Sequence, residues 1–327
     1  MTGPFRRRGG IWPVRLGALA IAAGAALALA LVASAWPPPL IDRVPRDIAD
    51  RARAAETIMV RAAQVIRQAR RAEGVESEAA GRGAMASFIG AELTPLTTTL
   101  GSLEAKHVAT SPRWASALAL RLHESGLRPG DVTAAGLSGS FPGLNVALAA
   151  ACQSLGVKLV AVSSVTASSW GANQPGFTWP EIELRLVKAG VLRQATIAVT
   201  AGGAGDRARD LEPEGQAQAE RIAQTVSEAM RVPVLEPTSF EDAVALRLTA
   251  YARASGGRPI RLYANVGGTE ASLGRSSSVL RLRNGFLPGV PFDFSREGGV
   301  MARFAERGVR LLTLLNVRDL AVRWGIL

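Results

Sequence analysis

Short aliphatic runs recurring at regular intervals between residues 132 and 264 narrow the possible folds more than any other feature of this chain. Residues 132–137, 159–163, 196–200, 232–235 and 260–264 read as strands, each bounded by Gly, Pro or Ser. Residues 143–155, 179–189, 213–230 and 240–255 between them have helical periodicity. Strands this uniformly apolar have no wet face, and strand–helix–strand alternation closes as crossover units on a parallel sheet. The expected fold class is therefore α/β: a doubly wound, mostly parallel sheet with helices on both faces. Residues 309–315 would add a strand and 318–325 a closing helix. Neither a repeat nor a low-complexity linker divides residues 85–327, so a single domain is expected there.

The N-terminal part obeys different rules. Residues 16–36 contain no charged side chain, and at about 1.5 Å per residue they would cross a hydrocarbon layer of about 30 Å. Ala33-Ser34-Ala35 fits a signal-peptide cleavage pattern, which keeps a cleaved leader as the alternative. The run nevertheless exceeds the roughly 7 to 15 residues of such a leader's apolar region, which favours an uncleaved anchor. Arg6, Arg7, Arg8 and Arg15 precede it, so the positive-inside rule leaves residues 1–15 in the cytoplasm and the rest outside. The expected location is the cell membrane, by a single pass. Residues 37–84 then supply a Pro spacer and a helix whose Ile48, Ala52, Ala55, Met59, Ala62, Ile66 and Ala69 share one face.

Composition excludes several functions. A net charge of +11 suits an anionic partner, but an aromatic content of 5% leaves little for stacking bases, and Arg6–Arg8 is the only basic block, so no nucleic-acid partner is expected. Cys152 is the sole cysteine and His107 and His123 the only histidines, too few for a typical zinc or iron–sulfur site, and no metal is expected. No Lys follows a Gly, which removes the P-loop. Gly203-x-Gly205-x-x-Ala208 resembles a dinucleotide fingerprint, but it follows a middle strand and lacks the acidic residue about 20 positions on. No cofactor is implied.

Small polar residues gather where the strands end. Ser138, Gly139, Ser140 and Asn145 follow the first strand. Ser163, Ser164, Ser168 and Ser169 follow the second, Gly202, Gly203 and Asp206 the third, and Asn265, Gly267, Gly268, Thr269 and Glu270 the last. Freed backbone amides and hydroxyls at that edge suit a carboxylate or phosphate. Each loop taken alone is also ordinary turn and helix-cap chemistry. Gly136-Leu137-Ser138-Gly139-Ser140 only partly matches the Gly-x-Ser-x-Gly nucleophile turn, since Ser occupies the final position. Ser138 is the candidate nucleophile, with His107 or Asp206 as candidate base, and Lys106 a candidate carboxylate-binding cation.

Four segments, "TTTLGSLEAK" (97–106), "GLSGSFPGLN" (136–145), "SSVTASSWGANQPGFTW" (163–179) and "LLNVRDLAVRWGI" (314–326), resemble the bacterial poly-γ-glutamate system protein family across most of residues 88–327. The resemblance implies a membrane-associated accessory factor of poly-γ-glutamate synthesis and export. Its partners would be the polymer and the synthase membrane subunits, and no catalytic residue carries over from it. Three functions stay open: a component binding the polymer or the synthase, a γ-glutamyl hydrolase or transferase, and a binder of another small anionic metabolite.

Overall fold

Among the described residues six strands share one sheet: β1 Val132–Leu137, β2 Lys158–Ser164, β3 Thr196–Thr200, β4 Ile260–Val266, β5 Gly285–Phe286 and β6 Arg310–Leu314, in the order β3-β2-β1-β4-β6-β5. The computed structural model describes residues 44–75, 81, 83–276, 282–287 and 297–327. The basic N-terminus, the apolar run 16–36 and the Pro spacer lie outside the described residues. Among those described, no helix is long and apolar enough to cross a membrane.

Every pairing is parallel except β5 with β6, so the fold is an α/β fold on a mostly parallel sheet. β1 is central and all six of its residues are buried, as expected of a strand hydrogen-bonded on both sides. Ten helices are described: α1 Arg46–Ala72, α2 Leu103–Ala109, α3 Arg113–Glu124, α4 Pro142–Leu155, α5 Trp179–Lys188, α6 Pro213–Met230, α7 Phe240–Ser255, α8 Glu270–Leu273, α9 Val300–Glu306 and α10 Val317–Arg323. Their ends follow local chemistry. Pro142 opens α4 and Gly156 closes it in the left-handed region at φ 71°. Thr178 and Glu181 form a capping box on α5, and Ser239 accepts from the Asp242 amide at α7.

Val132, Ala134, Val160 and Val162 pack with Phe240, Val244, Tyr251, Tyr263 and Phe304, which brings α7 and α9 against the sheet. Tyr263 stacks on Phe304 at 4.9 Å, and the Tyr251 hydroxyl donates to the Ala135 carbonyl at 2.7 Å. A smaller cluster of Leu96, Val165, Val199, Ala201, Ala219 and Ala223 lets α6 cover the β3 edge. The described residues from Pro45 onward form one compact unit, with α1 packed against α3 and α4 through Ala52, Ala55, Met59, Ala62 and Ile66. Alanine on that seam allows close approach of the helices. Full burial of a side chain such as Met59 contributes about 1.5 to 3 kcal/mol.

One expected strand is corrected. Residues 232–235 make a single parallel bridge, Val199 to Val234, rather than a strand. Val199 N–H donates to the Pro233 carbonyl at 3.0 Å and Leu235 N–H to the Val199 carbonyl at 2.8 Å. Pro233 has no N–H and Pro237 follows shortly after, so the ladder cannot extend and the segment stays at the sheet margin.

Candidate functional site

Parallel strands direct all their C-terminal ends to one edge. From β1 the chain moves outward to β2 and β3, whereas β4 leads to β6 on the other side. Loops leaving β1 and β4 therefore diverge and leave a crevice between them, where open α/β sheets bind ligands. Here that crevice is a pocket of about 190 Å³ whose lining includes Gly101, Lys106, Ser140, Ser168, Gly267 and Gly268. Gly267 is required by geometry. Its φ is +71°, and a Cβ there would sit 2.2 Å from Ser138 Oγ.

Lys106 is the charged group of the pocket. Ser102 caps α2 by accepting from the Ala105 amide at 3.3 Å, and Lys106 lies one turn in, only 3% exposed. Its Nζ donates to the Ser140 carbonyl and to Ser168 Oγ at 2.8 Å, and lies 4.1 Å from the centroid of the Phe141 ring. Among the described residues it forms no ion pair. Burial without a counter-charge pulls its ammonium down to about 7. Near neutral pH, ammonium and amine are therefore both populated.

The pocket brings together Lys106, Ser140, Ser168, Gly267 and Gly268 of the residues singled out in the sequence. The others hold this architecture in place. Ser138 Oγ donates to the Val266 carbonyl at 3.2 Å and accepts from the Ser140 amide at 3.3 Å, tying the β1 loop to β4. Gly139 N–H reaches the Thr166 carbonyl, and Asn145 Nδ2 donates to the Ser138 carbonyl at 2.8 Å. Ser169 Oγ donates to the Thr99 carbonyl at 3.4 Å. Ser163 shares a hydrogen bond with Thr196 and accepts from Trp179 Nε1, while Ser164 pairs with Thr200, so both serve strand-to-strand packing. Asn265 binds the Gly267 carbonyl and Ser272, and Thr269 caps α8. Gly202 and Gly203, at φ 83° and 63°, turn the chain after β3.

Neither candidate base adjoins Ser138. His107 is exposed, because neighbouring helix positions are turned about 100° apart and Lys106 takes the inward one. Asp206 is buried in a two-pronged ion pair with Arg247, at 2.5 Å from Nε to Oδ2 and 2.7 Å from Nη2 to Oδ1. Glu270 accepts from the Gly205 amide and pairs with Arg275.

Sequence reasoning did not reach Thr99, Gly101, Phe141 or Leu315 in the pocket wall, nor Arg247 as the partner of Asp206. A polar run before a capped helix was the available signal for Gly101. A groove at the opposite edge was also not anticipated. It has a volume of about 610 Å³ and gathers Arg128, Arg261, Arg307 and Arg310, with Asp131 as its acid.

No family profile, curated protein or solved structure matches this chain.

Proposed function

We propose that the chain is an accessory component of a bacterial poly-γ-glutamate synthesis and export system, and that its domain takes a carboxylate of the polymer at Lys106. In this reading the sheet is doubly wound, residues 16–36 anchor the chain in the cell membrane and residues 85–327 work outside it, beside the synthase subunits. One observation carries the binding claim. Lys106 is a cation without an acidic partner among the described residues, buried in a hydroxyl- and glycine-lined pocket at the switch in strand order. A carboxylate entering the pocket would supply the missing counter-charge, which favours the ammonium. The arginines of the opposite groove suit further carboxylates of the same polyanion.

Binding by this route consumes a proton whenever Lys106 starts as the amine. Calorimetry with a γ-linked glutamate oligomer, repeated in buffers of different ionisation enthalpy, tests it. Above pH 7, affinity falls as pH rises and each ligand takes up close to one proton. Affinity independent of pH, or unchanged in Lys106→Met, would remove Lys106 from the reading.

A further inference from the structure

A carboxylate site needs only the cation, yet Lys106 is also held against a hydroxyl. Its Nζ lies 2.8 Å from Ser168 Oγ inside the pocket. We propose that Ser168 and Lys106 form an acyl-transfer pair, Ser168 Oγ as nucleophile and Lys106 Nζ as its base, acting on esters or amides of small carboxylic acids. This rests on the same pocket that the proposed function uses.

Further features support the assignment beyond the distance. Ser168 is fixed on both sides, its N–H donating to Ser140 Oγ at 3.1 Å and its carbonyl accepting from Gly171 N–H at 2.9 Å. Lys106 has the Ser140 carbonyl as its other hydrogen-bond partner, so in the amine form one N–H is spent there and the lone pair is left for the Ser168 hydroxyl. Gly101 leaves the pair uncrowded on its side, since a Cβ at that position would sit 2.8 Å from the Ser169 carbonyl oxygen and 3.3 Å from both Lys106 Cε and Ser168 Oγ. Both histidines stand outside this arrangement, and a serine–lysine pair needs neither. Burial that holds the ammonium near 7 leaves the amine available as a base at ordinary pH.

The reaction balances without a cofactor. Ser168 Oγ bonds to the acyl carbon as its proton passes to Lys106 Nζ. The bond from the acyl carbon to the leaving group breaks, and that group departs with the proton from Nζ. Water then adds to the acyl carbon and gives a proton to Nζ. The ester to Oγ breaks and Ser168 recovers its proton. Net, an ester or amide and water become a carboxylic acid and an alcohol or amine. An amine in place of water makes the second half a transfer. A pocket of about 190 Å³ has room for a compact acyl group, and the γ-glutamyl amide is the member of that class which the proposed function would present.

Carboxylate capture and acyl transfer depend oppositely on pH, because the first needs the ammonium and the second the amine. Full-length protein in detergent is treated with a fluorophosphonate probe, and the labelled peptide is identified by mass. The expected label is on Ser168, at a rate rising about tenfold between pH 6 and pH 8. Ser168→Ala abolishes it, and Lys106→Met slows it at least about 100-fold. Lys106→Arg keeps a cation that cannot act as a base, so it also abolishes labelling. Wild-type protein that stays unlabelled at Ser168 yet binds the glutamate oligomer with proton uptake overturns the acyl-transfer pair and leaves the proposed function standing. Labelling at Ser168 without oligomer binding does the reverse. A labelling rate unchanged in Lys106→Met also overturns the pair.

Discussion

Replacing Asp206 with Ala should destabilise the fold more than any single change in the pocket wall. Arg247 is fully buried and Asp206 is 1% exposed on its side chain, and the two share contacts at 2.5 and 2.7 Å. At an effective dielectric of about 20, charges 2.5 Å apart attract by roughly 6 to 7 kcal/mol before desolvation is subtracted. Removing the carboxylate alone strands the guanidinium among Ser164, Thr200 and the two tyrosines, so Asp206→Ala should cost about 3 to 5 kcal/mol. Arg247→Met strands the carboxylate and should cost a similar amount. Asp206→Ala combined with Arg247→Met leaves no buried charge, and its cost should be well below the sum of the two single changes. Urea denaturation followed by far-UV circular dichroism and tryptophan fluorescence measures all four proteins. Additive losses, or an Asp206→Ala cost below about 1 kcal/mol, would refute the claim that this pair is a structural strut behind the loops.

Three further outcomes are expected. Lys106 has a depressed pKa when folded, so between about 7 and the ordinary 10.5 the unfolded chain binds more protons and stability rises with pH. Lys106→Met removes that rise, worth up to about 5 kcal/mol across the window, as read from urea midpoints at its two ends. Gly267→Ala forces a Cβ at φ +71° to within 2.2 Å of Ser138 Oγ and should cost at least about 2 kcal/mol, whereas Gly257→Ala at φ +78° meets nothing within 4 Å and should cost about 1. Thermal denaturation separates the two. Ser138→Ala should lower stability by about 1 kcal/mol and leave oligomer affinity within about twofold, since its hydroxyl ties loop to strand.

Strand positions were legible because burial on both faces leaves uninterrupted aliphatic runs, and parallel topology then obliges their polar C-terminal loops to share an edge. That inference points to Ser140, Ser168, Gly267 and Gly268, which line the pocket. Pattern failed where a single residue changed hydrogen-bonding capacity, as at Pro233, whose missing N–H reduces an apolar run to one bridge. It failed again in assigning partners. The contact between Lys106 and Ser168 spans 62 positions and that between Asp206 and Arg247 spans 41, and nothing local encodes either. His107 stood out as one of only two histidines, but helix rotation turns it to solvent and gives the pocket its neighbour instead.

The most direct measurement of the central claim is the titration of Lys106 itself. With only Lys106, Lys158 and Lys188 in the chain, ¹³Cε-labelled lysine gives three resonances, assigned by substitution. One of them, absent in Lys106→Met, should titrate near 7 and move upward when a γ-linked glutamate oligomer saturates the protein. A Lys106 resonance that titrates near the ordinary lysine value of about 10.4, or that ignores the oligomer, would contradict the account.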